Sequence, residues 1–186
     1  MYKDTSLKKY LDDLAAKIPA PGGGSAAALT AGLGVSLLSM VVNFTLGKPK
    51  YAKYENELKE ILEKSEKLRE EFLNLVDLDV KAYQSKNIRD ALNVPFALSR
   101  LCFEGIKLCI PLVKKGNVNL ISDVAVAAIL LEGAFASAYV NVDINLRMLG
   151  DARLTKSMRK ELDSKSARIR KIRQETEGKV GKIIRG

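Results

Sequence analysis

Residues 51–85 read YAKYENELKEILEKSEKLREEFLNLVDLDVKAYQS. Apolar or small side chains recur at every third or fourth position of this stretch, and lysine and glutamate fill most positions between them. One stripe contains Tyr51, Tyr54, Leu58, Ile61, Ser65, Leu68, Phe72, Leu75, Asp79 and Tyr83. This period predicts a long amphipathic helix that packs one face on a hydrophobic core.

The remainder of the chain also has helical character, and no alternating run flanked by hairpin dipeptides predicts a strand. The predicted helices span residues 4–17, 24–46, 51–85, 94–114, 120–149 and 155–177. Pro95 is expected in the first turn of the fourth helix, and Pro111 where that helix kinks or ends. Residues 120–149 are apolar almost all round, which indicates a helix inside a bundle. The predicted fold is all-α, a multihelical antiparallel bundle of about six helices with a buried central helix.

The basic residues are concentrated at the C-terminal end of the chain. Of the net charge of +9, residues 153–186 contribute +8, from 12 Lys/Arg and 4 Asp/Glu. We therefore distinguish a helical domain at 1–152 from a basic helix and tail at 153–186, either part of the same domain or an appendage. The tail has no aromatic side chain for base stacking, so a solvated helix explains it better than a nucleic-acid-binding arm.

The chain contains no histidine, which excludes a Ser-His-Asp triad and a histidine-built metal site, and we expect no metal. Cys102 and Cys109 lie seven residues apart on a predicted helix, about 10 Å along its axis, too far for a disulfide. Free thiols favour a cytoplasmic protein. Residues 22–47 are uncharged, but their polar and glycine content favours packing in a bundle over a membrane span.

The most unusual segment is PAPGGGS at 19–25. Gly22, Gly23 and Gly24 precede a predicted helix, where free backbone N–H groups bind anionic or carbonyl oxygens and glycine lets a ligand approach closely. The alternative is a tight turn in which Ser25 caps the helix.

Asp79 lies on the apolar stripe of residues 51–85, whereas Asp77 is rotated by about 200° and is expected to be solvated. A carboxylate in an apolar seam should have a raised pKa and is a candidate for proton transfer. The alternatives are a frayed helix end or pairing of Asp79 with a lysine of a neighbouring helix.

Polar residues also occur at both ends of the apolar helix at 120–149. Asn119, Ser122 and Asp123 stand at its start, as ligand-binding residues or as ordinary caps. Asn141 and Asn145 share a face near its end. Asp123 and Asn141 are 18 residues and about 27 Å apart, so they cannot hold one small group unless a second subunit brings them together.

Four further charged residues are candidates for either a structural or a functional role. Glu132 is the only charge between residues 124 and 142, and it either reaches a partner through the bundle or marks an aqueous pocket. Arg100 and Glu104 are spaced for a helix ion pair. Lys48 follows a predicted helix C-terminus, where a cation suits the helix dipole.

Four motifs occur together in this order: PAPGGGSAAA at 19–28, LVDLDVKAY at 75–83, NVNLISDVA at 117–125 and NVDIN at 141–145. In combination they resemble the formiminotetrahydrofolate cyclodeaminase and methenyltetrahydrofolate cyclohydrolase family, and the cyclodeaminase half of formiminotransferase-cyclodeaminase. The resemblance covers about residues 5–152. Tyr83 departs from the phenylalanine that the resemblance leads us to expect.

The resemblance implies a homodimeric helical bundle with a folate site near the dimer interface. It implies an ammonia lyase that converts 5-formimino-tetrahydrofolate to 5,10-methenyl-tetrahydrofolate; the alternative is a cyclohydrolase that opens the methenyl compound. The tetrahydrofolate, mono- or polyglutamylated, is substrate, and no cofactor is expected. A separate formiminotransferase would supply the formimino substrate. A non-catalytic folate-binding protein is a further alternative.

The resemblance also guides the roles of the candidate residues. Asp79 and Asp123 are expected to transfer protons, and the segment from Gly22 to Ser25 is expected to bind pterin or glutamyl oxygens. Lys48 and Arg100 are expected to meet the glutamate carboxylates. The remaining predicted substrate-binding residues are Asn119, Ser122, Asn141 and Asn145.

Overall fold

The computed structural model describes residues 1–186, which form seven α-helices and no strands. The helices are α1 (Leu7–Ala15), α2 (Gly23–Asn43), α3 (Glu55–Ser85), α4 (Ile88–Lys107), α5 (Cys109–Lys115), α6 (Ile121–Leu149) and α7 (Ala152–Arg185). Short 3₁₀ turns at Tyr2–Asp4, Pro49–Tyr54 and Val118–Leu120 precede α1, α3 and α6. The all-helical prediction is confirmed, and the count exceeds six because the predicted fourth helix is divided into α4 and α5.

Helix α6 packs against α2, α4, α5 and α7, but one of its faces is exposed, so the prediction of a buried central helix holds for its inner face only. Its Leu131 is fully buried and receives α2 on one side and α4 on another. A Cβ atom on Gly34 of α2 would lie 3.0 Å from Cγ of Leu131, and one on Gly105 of α4 would lie 3.3 Å from Cδ2. The two glycines therefore let both helices approach α6 closely.

Helices α2 and α3 run antiparallel and form the other principal contact. The hydroxyls of Ser39 and Ser65 are 2.8 Å apart, and a Cβ atom on Gly32 would touch Phe72 at 3.7 Å. The predicted stripe on α3 is buried at Leu58, Ile61, Ser65, Leu68, Phe72 and Leu75. The prediction of an amphipathic helix in residues 51–85 is thus confirmed from Glu55 onwards, whereas residues 49–54 form a 3₁₀ turn.

Pro95 lies elsewhere than predicted, whereas the predicted fourth helix is interrupted close to Pro111, as expected. Helix α4 begins at Ile88 because the side chain of Asn87 accepts a hydrogen bond from the N–H of Arg89 at 3.0 Å. Pro95 is consequently inside α4 and not in its first turn. Pro111 lies in the first turn of α5, where a missing N–H costs no helical hydrogen bond.

Helix α7 is longer than predicted and packs against α4, α5 and α6, and its buried side chains include Met158, Leu162, Ile169 and Val180. Its polar contacts correct one expectation, because Arg100 pairs with Glu161 of α7, while Glu104 pairs with Lys107. Of the two alternatives for Glu132 of α6, the structure supports a charged partner: Glu132 pairs with Arg170 at 3.8 Å and with Arg173 at 3.7 Å.

Two apolar surfaces have no intrachain cover. The surface on α6 consists of Val126, Ile129, Val140, Ile144 and Met148. The surface on α2 includes Leu33, and Phe44 at the end of the helix. By length and composition alone, Gly23–Asn43 and Val118–Leu149 could each cross a membrane. In the fold, these two segments are the core helices of the bundle and pack against each other.

Candidate active site

A cleft of about 220 Å³ lies where α2 begins and α3 and α6 approach their C-terminal ends. Its lining consists of Pro19, Ala20, Gly22, Gly23, Gly24, Asp79, Tyr83, Ala91, Asn141 and Asn145. The antiparallel order of α2 against α3 and α6 explains this convergence, because the start of α2 meets the ends of both neighbours. Six of the predicted site residues therefore line one cleft: the three glycines, Asp79 and the two asparagines.

The glycine-rich turn and Asp79 are in direct contact. The backbone N–H of Ser25 donates to Oδ2 of Asp79 at 2.9 Å. Gly22 caps α2 without a side-chain hydrogen bond, and Gly23 and Gly24, whose N–H groups begin the helix, line the cleft. The helix start can thus receive an oxygen-bearing ligand beside the Asp79 carboxyl group.

The environment of Asp79 favours its protonated form. Burial raises the pKa of this carboxyl group, and the hydrogen bond from the Ser25 N–H offsets part of the rise. No lysine or arginine forms an ion pair with Asp79, so the alternative of a paired lysine does not apply. Asp79 and Tyr83 are the only ionisable side chains that line the cleft.

Asp77 was expected to be solvated, and this prediction is wrong. Asp77 is buried, and its Oδ1 accepts a hydrogen bond from the backbone N–H of Tyr2 at 2.6 Å. The 3₁₀ turn at Tyr2–Asp4 covers the flank of α3 that the helical period left open to water. Asp77 thus anchors the N-terminal segment and lies outside the cleft.

The side chain of Ser25 joins the start of α2 to α1 and α3, a role that the sequence motif did not predict. Its side chain is fully buried, donates to the carbonyl oxygen of Val76 at 3.0 Å, and accepts from the hydroxyl of Tyr10 at 3.2 Å. Burial raises the pKa of Tyr10, the hydrogen bond with Ser25 lowers it, and the nearby Asp79 charge raises it. Ser25 and Tyr10 therefore hold the helix start against α3, while the Ser25 N–H faces Asp79.

Asn145 compensates for a proline in another helix. Pro95 has no N–H, so the carbonyl of Ala91 loses its helical donor. The side-chain amide of Asn145 donates to that carbonyl at 2.6 Å. Asn141, one turn earlier, donates to the carbonyl of Ser137 at 2.9 Å, and its amide lies beside Gly23. The predicted shared face of the two asparagines is the wall of the cleft.

A match to a family model identifies the group of proteins to which this site belongs. The model described as formiminotransferase-cyclodeaminase matches residues 6–87 and 84–164. The chain belongs to this family. The match begins at α1, includes every residue that lines the cleft, and ends within α7.

Individual relatives carry two different names. A methenyltetrahydrofolate cyclohydrolase of Methylorubrum extorquens is 36% identical over 186 residues, covering 88% of this chain and 89% of that protein. The formimidoyltransferase-cyclodeaminase of Mus musculus is 29% identical over 171 residues, covering 80% of this chain but only 32% of the mouse protein. The crystal structure of a formiminotetrahydrofolate cyclodeaminase from Thermotoga maritima matches with a TM-score of 0.93 and 29% identity, over 99% of this chain and 100% of that one.

Several predicted residues do not reach the cleft of this cyclodeaminase-family chain. Asn119, Ser122 and Asp123 lie at the opposite end of α6, and the side chain of Asn117 accepts a hydrogen bond from the Asn119 N–H as a cap. Lys48 follows the far end of α2. The guanidinium group of Arg100 donates two hydrogen bonds of 2.7 Å to the carboxylate of Glu161 and is therefore not free to bind a substrate carboxylate.

Other residues of the cleft escaped sequence reasoning. Tyr83 occupies the stripe four residues after Asp79, a spacing that could have placed it beside Asp79. Pro19 and Ala20 belong to the proline-containing segment before the glycines. Ala91 carries no sequence signal, because only the packing of α4 brings it to the cleft. The same is true of Tyr10, which does not line the cleft but supports it through the Ser25 hydroxyl.

Proposed function

We propose that this chain is a folate one-carbon enzyme that closes the N5–N10 bridge, converting 5-formimino-tetrahydrofolate to 5,10-methenyl-tetrahydrofolate with release of ammonia. The observation that carries this proposal is Asp79, a carboxyl group without a counter-ion in a cleft at the start of α2. Its raised pKa keeps a proton available at higher pH than an ordinary aspartate would.

The reaction needs a proton donor at the terminal nitrogen of the formimino group. N10 attacks the formimino carbon, and the bond from this carbon to the terminal nitrogen breaks. The departing nitrogen takes one proton from N10 and one from solution, and leaves as ammonia. Asp79, the carboxyl group of the cleft, delivers these protons. The N–H groups of α2 and the Asn141 side chain orient the substrate.

The second candidate is hydrolysis of 5,10-methenyl-tetrahydrofolate to the 10-formyl compound. The relative from Methylorubrum extorquens favours it, since that cyclohydrolase matches over nearly its whole length. In this reaction water attacks the bridge carbon and gives one proton to the Asp79 carboxylate. The bond from this carbon to N5 then breaks, N5 takes the proton of the added hydroxyl group, and Asp79 releases its proton to solution. The same cleft serves both reactions, which differ in the nucleophile.

Absorbance of the methenyl compound separates the two reactions. Rising absorbance and ammonia release from 5-formimino-tetrahydrofolate would support the cyclodeaminase, whereas loss of absorbance from the methenyl substrate alone would support the cyclohydrolase. Asp79→Asn is the matched control for both. Turnover of neither substrate above the buffer rate would refute both assignments and favour a non-catalytic folate-binding protein. Because both thiols are free and buried, we place the enzyme in the cytoplasm, with a separate formiminotransferase as its supplier.

We also infer a homodimer in which two α6 helices run antiparallel and cross at Gly133. The exposed positions of α6 are symmetric about this residue: Val126 would face Val140, and Ser122 would face Ile144, of the partner subunit. Gly133 is exposed, and a Cβ atom there would contact nothing within 4 Å in its own chain. A glycine inside a helix costs about 1 kcal/mol relative to alanine, and close approach of a second helix explains its presence.

This dimer would complete the site. The antiparallel crossing sets Asp123 of the partner subunit opposite residue 143, between Asn141 and Asn145, at the usual interhelical distance of about 8–10 Å. Arg147, which has no ion pair within its chain, lies one turn further along and would meet the partner's Asp123. Asp123 likewise has no partner in its own chain. The homodimer thus gives Asp123 the proton-transfer role that its distance from Asp79 excludes within one chain.

A further inference from the structure

We propose that a second cavity beside the cleft binds the p-aminobenzoyl-glutamate part of the substrate, with Lys86 meeting the carboxylates of the first glutamate. This inference rests on the proposed folate substrate. It adds a specificity residue that neither the sequence motifs nor the family match single out.

The cavity adjoins the cleft. It has a volume of about 600 Å³ and shares Tyr83, Ala91 and Asn145 with the cleft. A ligand whose reacting atoms lie at Asp79 can therefore follow a path past these three residues into the second cavity. The second cavity is also lined by Ala82, Gln84 and Lys86, so the path ends where α3 ends.

The walls of this cavity suit an aromatic ring. Met148 is 71% exposed and Tyr83 is 59% exposed, and each presents an unpartnered apolar surface to the cavity. Ile88 and Ala91 contribute the apolar floor from α4. A flat ring inserted between Tyr83 and Met148 would bury apolar surface on both of its faces.

Lys86 stands at the outer end of the path. It is the only cation that lines either cavity, and its ammonium group has no ion pair or hydrogen bond with any residue of the chain. It caps α3 in the left-handed conformation with φ of 56°, and it is the only residue other than glycine with positive φ. Glycine or asparagine adopts this conformation more easily, so helix capping does not account for a lysine here.

The order of these groups follows the order of groups in the substrate. Asp79 and Lys86 are separated by seven residues, which is about 10 Å along α3. The p-aminobenzoyl ring and its amide separate N10 from the first glutamate carboxylate by a comparable length. With N10 at Asp79 and the ring between Tyr83 and Met148, the carboxylates reach the Lys86 ammonium group.

The test compares substrates with and without glutamate. Lys86→Asn keeps a residue that tolerates positive φ, and Lys86→Glu reverses the charge. Lys81→Gln is the matched control, because Lys81 is an exposed lysine of α3 that lines neither cavity. For the tetrahydrofolate substrate, Lys86→Asn should raise KM about tenfold with kcat within twofold, and Lys86→Glu should raise it further. For the tetrahydropteroate analogue, which lacks glutamate, neither variant should change KM.

An equal change in KM for both substrates, or none for either, would overturn the proposal. Equilibrium binding of tetrahydrofolate and tetrahydropteroate separates this outcome from failure of the proposed reaction. If the parent chain turns over neither substrate, Lys86→Asn should still weaken tetrahydrofolate binding about tenfold and leave tetrahydropteroate binding unchanged. Equal affinities of parent and variant for tetrahydrofolate would refute the subsite whether or not the chain is active. Thermal unfolding of Lys86→Asn should occur at or above the parent temperature, which excludes misfolding as the cause.

Discussion

Gly24 of α2 leaves the space that the carboxyl group of Asp79 on α3 occupies. A Cβ atom at Gly24 would lie 2.7 Å from Cγ of Asp79, closer than such atoms approach in proteins. The contact joins residues 55 positions apart and places the carboxyl group within 2.9 Å of the next backbone nitrogen, that of Ser25. The glycine is thus required by packing between two helices and not only by the turn that precedes α2.

Gly24→Ala should reduce turnover on the order of 100-fold, because the added methyl group displaces Asp79 from the Ser25 N–H. The measurement is kcat for the formimino and methenyl substrates, with thermal unfolding to exclude loss of fold. Gly178→Ala on α7 is the matched control, since its Cβ atom would meet nothing within 4 Å. That control should keep full activity. Full activity of Gly24→Ala would contradict the role of this contact.

Asp79→Asn should separate stability from activity. Burial raises the pKa of Asp79 in the folded state, so the folded chain holds this proton more tightly than the unfolded chain. The contribution of Asp79 to stability therefore falls as pH rises from about 4, the ordinary carboxyl pKa, through the raised value. The asparagine variant has no carboxyl group to ionise at this position, so its stability does not fall in this pH range for this reason. It should be at least as stable as the parent at pH 7, with the advantage disappearing below pH 4.

Denaturant unfolding at several pH values measures this difference. Turnover of Asp79→Asn should fall by about 100- to 10,000-fold, the range for loss of a general acid or base. A variant that is less stable than the parent at pH 7, and whose deficit persists below pH 4, would show that the carboxyl group is held by a favourable interaction and not desolvated.

Mixing two inactive variants tests the composite site. If each site combines Asp79 with the partner's Asp123, Asp79→Asn and Asp123→Asn should each be inactive alone. A hybrid dimer of the two variants contains one site with both native aspartates. Random exchange of subunits makes half of the dimers hybrids, so about a quarter of the parent activity should return.

Val140→Asp supplies the control for the dimer itself. A carboxylate on the exposed face of α6 should convert the dimer to a monomer in sedimentation or light scattering and remove activity, while helicity remains. A monomeric parent chain, or inactive mixtures in spite of subunit exchange, would refute the shared site.

Asn145 and Pro95 should be coupled in stability. Asn145→Ala leaves the Ala91 carbonyl without a donor and should cost about 1–3 kcal/mol. Pro95→Ala restores a backbone N–H to that carbonyl, so removal of Asn145 should cost less in this background. The four unfolding free energies form a double-mutant cycle. Additive effects would mean that Asn145 does not replace the donor missing at Pro95.

The amino-acid sequence alone predicted the all-helical class, the amphipathic face of α3 and six of the ten residues that line the candidate cleft. The period of residues 51–85 predicted the buried stripe from Leu58 to Leu75 and selected Asp79, because a helix face depends only on spacing along the chain. The motif at 19–25 predicted a ligand-binding helix start for the same reason, since capping and glycine effects are local. The match to the family extended these local signals to the class of reaction.

Only the tertiary structure decided which residues meet across helices. The period of α3 left Asp77 in solvent, but the backbone of Tyr2 covers it. The i,i+4 rule paired Arg100 with Glu104, but Glu161 lies nearer in space. Pro95 could be inside α4 because Asn145, 54 residues away from Ala91, supplies a donor. Contacts between distant residues depend on the packing of whole helices, and no local pattern of spacing or capping contains that information.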